Sequence, residues 1–99
     1  MAAPEVWVAK DDGSDLVRAE AIAAVGRDYT GTVTIRLSDG EGSVVTLVAV
    51  ASHEGKHTPD DFHRQLIRVV AAQLSDAAGA TVVRPVWNDH DWHWATEPL

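Results

Sequence analysis

The sequence predicts an α+β fold: an antiparallel sheet of four to five strands with one amphipathic helix packed across one face. Three observations carry this expectation. Thr32–Leu37 alternates apolar and polar residues, Ser43–Ala51 is an almost unbroken apolar run, and the stretch from Thr58 to Gly79 carries the punctuation of a single helix.

Glu5–Lys10 has strand composition, with Val6 and Val8 on one face and Trp7 on the other. Asp11-Asp12-Gly13-Ser14-Asp15 reads as a turn whose carboxylates and hydroxyl bond nearby backbone. Its acids also resemble a calcium loop in their spacing. The glutamate such a loop needs at position twelve is missing, because that place, counted from Asp11, holds Ile22.

Leu16–Val25 is open to two readings. Its alanines and the following Gly26 suit a short capped helix. Its apolar blocks, Leu16-Val17 and Ile22 to Val25, suit two short strands separated by a kink near Glu20. The flanking segments are strands that need neighbours, which favours the extended form.

In Thr32–Leu37, Val33, Ile35 and Leu37 face inward while Thr34 and Arg36 face water. Ser38-Asp39-Gly40-Glu41-Gly42 is a hairpin turn with two glycines available for positive φ. Ser43–Ala51 follows, apolar on both faces. Such a strand needs a cover on each side, and one helix covers one face of a sheet. The second face of Val44–Val50 therefore predicts burial against a second copy of the chain.

The helix is expected at about residues 59–78. Thr58 is a suitable N-cap, Pro59 sits where its missing donor costs nothing, and Asp60 and Asp61 meet the positive end of the dipole. Phe62, Leu66, Ile67, Val70 and Leu74 form the apolar stripe, and Gly79 ends the helix. Ala80–Val86 is a last strand. Pro85 cannot donate to a ladder, so this strand is expected to lie at an edge or to lose its pairing there. Residues 87–99 follow as an aromatic and histidine-rich C-terminal tail.

Composition narrows the function. Residues 1–99 are expected to form one small domain, with an ordinary apolar fraction of 45%. Fifteen acids against eight bases give a net charge of −7, which disfavours nucleic acid and anionic membrane as partners. Without cysteine there is no disulfide framework and no thiolate nucleophile or ligand. Met1–Trp7 lacks a basic region followed by an apolar run, and no stretch approaches the roughly 20 apolar residues of a membrane span. A cytoplasmic protein is expected. Six arginines to two lysines, with abundant alanine and valine, point to a GC-rich bacterial or phage gene.

Histidine supplies the candidate metal chemistry. His90 and His93 flank Asp91, while His53 and His57 lie four apart in the loop before the helix. His53-Glu54-Gly55-Lys56-His57 has the letters of a zinc-protease helix, but Gly55 breaks the helix that would aim both rings at one ion. Solvated loop histidines are the simpler expectation. His63 reads as a boundary residue of the helix, and no serine stands in a nucleophile-elbow context. Gly40-Glu41-Gly42 lacks the setting of a phosphate loop. No catalytic group and no cofactor is expected.

Three of the four tryptophans, Trp87, Trp92 and Trp94, crowd the tail. Indoles either dock on the domain or anchor a partner. The sequence thus predicts a non-enzymatic regulatory module that forms a homodimer and binds another protein through Trp87, Trp92 and Trp94. The alternatives are a metal site built from His90, Asp91 and His93 with His53 or His57, and an acidic decoy of a nucleic-acid-binding protein.

Overall fold

The computed structural model describes residues 4–50, 55–76 and 79–99. Their elements run β1 (Glu5–Ala9), β2 (Leu16–Arg18), a single 3₁₀ turn (Ala19–Ala21), β3 (Ile22–Arg27), β4 (Val33–Leu37), β5 (Val44–Val48), α1 (Phe62–Asp76), β6 (Ala80–Trp87) and β7 (Trp92–Pro98). The class is α+β with one helix, as expected. The single antiparallel sheet is corrected to two sheets, ordered β2-β1-β6-β7 and β3-β4-β5, with β1 and β6 parallel. The long connection from residue 10 to residue 79 is what permits a parallel return.

The two sheets share one stretch of backbone. Leu16–Val25 is extended, as favoured, and breaks at Ala19–Ala21, so β2 pairs with β1 while β3 pairs with β4. A second link closes the other side, where the Asp11 amide donates to the Leu47 carbonyl at 2.9 Å. α1 packs against β1, β3, β6 and β7, and so fills the space that both sheets face. Phe62, Leu66, Val8, Val33, Ile35, Leu47, Val48 and Val83 form the fully buried centre.

β5 narrows the second face that the apolar run leaves to cover. Val33 pairs with Val48 but Thr34 pairs with Thr46, which leaves Leu47 as an extra residue on β5. The bulge changes the phase of the strand, so Leu47 and Val48 are both buried by the chain's own residues. Of the run Val44–Val50, Val44 is the large side chain left open, at 58% exposure.

The helix begins later than the N-terminal signals suggest. Residues 59–61 form a turn in which the Phe62 amide donates to the Pro59 carbonyl, and the Gln65 amide reaches the Asp61 carbonyl at 2.9 Å. Asp61 stands at the helix entry through its carbonyl, and its Oδ1 accepts from the Gln65 side chain at 2.8 Å. Thr58 does different work. Buried, it donates its hydroxyl to the Gly31 carbonyl at 2.6 Å and accepts from Arg27 Nε at 3.0 Å. These bonds tie the β3–β4 turn to the entry of α1.

Pro85 lies in an inner strand, with β1 on one side and β7 on the other. The Asn88 amide bonds the Asp91 carbonyl, which sets the even-numbered residues of β6 as those bonding β7. The nitrogen of Pro85 therefore points toward β1, one step past Val83, where the β1 pairing stops. No donor is lost, and the expected loss of pairing holds on that side alone.

Candidate functional site

The C-terminal segment is not a tail but the outer strand β7. Asn88 shapes the turn before it, its Oδ1 accepting from the amides of His90 and Asp91 at 3.1 and 2.8 Å. Trp92 and Trp94 then alternate with His93, so both indoles enter the core at 5% and 8% exposure. Trp94 stacks on Phe62 with centroids 4.5 Å apart and donates to the Phe62 carbonyl at 2.9 Å. Trp92 donates to the Lys56 carbonyl at 2.9 Å and meets Trp87 edge to face. Trp87 is half-buried under the Lys56 ammonium, 5.6 Å from its ring. Of the three indoles expected at a partner surface, Trp92 and Trp94 instead close the domain over α1, while Trp87 stays half-buried.

The described histidines do not assemble. His90, Asp91 and His93 are exposed, with His93 on the face of β7 opposite the tryptophans, and His57 is exposed in the loop before α1. Among the described residues no three histidine or acidic side chains come together as a metal site. His53 lies outside the described residues. His63 is half-buried in the first turn of α1, and its Nδ1 makes no hydrogen bond.

The open apolar surface lies elsewhere, between β3 and α1. β3 is an edge strand of its sheet. The Asp28 amide bonds the Thr32 carbonyl at 3.1 Å, so Gly26–Thr34 and Ala24–Arg36 are the bonded pairs of the ladder. The peptide groups of Val25 and Arg27 consequently point away from β4. Natural sheets usually guard such an edge with lysine, proline or an inward charge. In β3 the register shifts between Ile22 and Ala24 and the mostly buried Arg27 closes the strand, so the edge stays open at Val25 between them.

Beside this edge runs one flank of α1. At about 100° per residue, Ile67 lies a quarter-turn or more from Leu66, so the stripe read from the sequence divides in two. Phe62 and Leu66 enter the core, whereas Ile67 and Leu74 stay 55% and 48% exposed. With Ala23, Ala24, Val70 and Ala71 they line an open groove of about 340 Å³. Leu74 sits at the β2–β3 break with Ala19 and Glu20, while Arg27 reaches Asp60 at 3.7 Å just before the helix. α1 therefore runs antiparallel to β3 along the whole groove. Arg27 is held by its bonds to Thr58, which fixes the far end of the strand.

Charges lie around the groove rather than in it. The Asp61 carboxyl at the helix entry is held below its ordinary 3.8, first by the Gln65 amide. Asp28, beyond the end of β3, is lowered first by the Thr30 hydroxyl. Comparison with known protein families, curated proteins and solved structures returned no match. No helix of the described residues is long and apolar enough to cross a membrane.

Proposed function

We propose that the chain is a small non-enzymatic module that works by binding protein, and that its contact surface is the α1–β3 groove. The observation that carries this is a coincidence of two costs. Large aliphatic side chains, Ile67 and Leu74, are left in water directly beside a strand edge whose Val25 peptide points outward. Each feature alone is common; together they form the two halves of a strand-addition site, backbone bonds on one wall and apolar pockets on the other. Ile67 and Leu74 replace Trp92 and Trp94 as the anchors.

The test compares two tagged baits, the native chain and Ile67→Asp, in extract of the host. Ile67 is exposed, so the variant should fold with an unchanged circular dichroism spectrum. The expected outcome is at least one protein retained by the native chain and lost from the variant, the host's own untagged copy counting as one. Identical capture by both baits overturns the proposal.

A further inference from the structure

Resting on that reading of the groove, we infer that its occupant is β3 of a second copy, paired antiparallel about a two-fold axis near Val25. The groove's own geometry selects this occupant. Because α1 lies antiparallel to β3 from Arg27 to Glu20, a two-fold axis through the strand also sets α1 against α1 of the other copy. The edge peptides of Val25 then bond across the axis, and Ile67, Ala71 and Leu74 meet their counterparts above the joined strands. A lone extended peptide would satisfy the strand edge but leave the outer side of that helical flank in water.

Charge points the same way. Two copies of a chain with net charge −7 repel, so a contact between them needs a strip free of acids. Ile22–Gly26 and the flank Ile67, Val70, Ala71 and Leu74 supply such a strip. At its rim stands exposed Arg64, near the start of α1. In the antiparallel arrangement it faces the last turn of the other helix, which has no basic residue of its own to meet the negative end of the dipole. A short strand pair plus two helical turns falls at the low end of specific interfaces, near about 1,200 Å² in total, so the association is expected in the micromolar range.

The chain has no cysteine, which makes a single introduced thiol a clean probe. Sedimentation of the native chain from about 1 to 500 µM should pass from monomer to dimer, and Ile67→Asp should weaken that step at least tenfold. Under mild oxidation Ala71→Cys should give a covalent dimer, whereas Thr96→Cys, on the opposite edge strand, should not. A native chain that stays monomeric throughout, with Ala71→Cys linking no faster than Thr96→Cys, overturns the inference. A dimer indifferent to Ile67→Asp overturns it as well. Neither result touches capture of other proteins by the groove, which fails only if the two baits described above behave alike.

Discussion

β7 and β3 are both edge strands, and the chain treats them in opposite ways. β7 carries the most conspicuous residues of the sequence, and it turns them inward. Its indoles stack on Phe62, meet Trp87 and place both ring N–H groups on backbone carbonyls. β3 carries the least conspicuous, alanine and valine, and its flank of α1 stays open. Large aromatic side chains are expensive to leave in water, so their prominence in a sequence says more about closing a small core than about a partner. Small side chains cost little when exposed and let another backbone come close.

The difference can be tested by mutation. Trp94→Ala removes the Phe62 stack, the bond to the Phe62 carbonyl and a buried indole, and should cost about 3–5 kcal/mol in urea unfolding. Ile67→Asp, on the open flank, should cost less than about 0.5 kcal/mol at concentrations where the chain is monomeric. Near-equal losses would mean that the two edges are not distinct in kind.

A smaller effect is expected at the clamp that holds β3 in place. Gly31 has φ +95, and a Cβ there would lie 2.9 Å from Thr58 Oγ1 and 3.2 Å from Val50 Cγ2. Gly31→Ala should therefore cost about 1–3 kcal/mol and loosen the entry of α1, read as faster amide exchange at residues 62–65. Unchanged exchange there would show that the bonds of Thr58 do not couple the turn to the helix.

The smallest effect is on acid stability, and it belongs to the hairpins of the β3-β4-β5 sheet. Asp39 accepts from the Ser43 hydroxyl and from the amides of Glu41, Gly42 and Ser43, which hold its carboxyl down to about 2 from the ordinary 3.8. A folded-state value below the unfolded one stabilises the fold above the unfolded pKa, and that contribution fades as pH falls from about 4 to 2. Asp39→Asn should flatten the urea midpoint against pH in that window. An unaltered slope would assign the acid sensitivity to other carboxylates.

What the sequence made legible was mostly local. The break near Glu20, the hairpin turn around Asp39 and the glycine after α1, at φ 84, all follow from the residues on the spot. The inward set Val33, Ile35 and Leu37 follows from alternation, with Leu37 less covered than the other two. What stayed hidden depends on contacts far along the chain. The parallel pairing of β1 with β6 joins residues about as far apart as the sequence allows, and no pattern within either strand announces it. Thr58 has every mark of a cap, yet Gly31 and Arg27 claim its hydroxyl from 27 and 31 residues away. The bulge at Leu47 is not legible in the apolar run, in which one extra residue lets the strand bury consecutive side chains. The groove is hidden in the sequence because Phe62, Leu66, Ile67, Val70 and Leu74 read as one helical face. The separation of Leu66 from Ile67 around the helix, together with the uncharged stretch Ile22–Gly26, was the available signal.

Pro85 has a consequence for assembly of the chain during folding. Parallel strands have no hairpin to fix their alignment, and sliding by two residues keeps every side chain on its proper face. If β1 slid two places toward the end of β6, its next carbonyl would seek an amide proton at residue 85 and find a ring carbon instead. The imino acid thus works as an end stop, penalising a misalignment that hydrophobic patterning alone would tolerate.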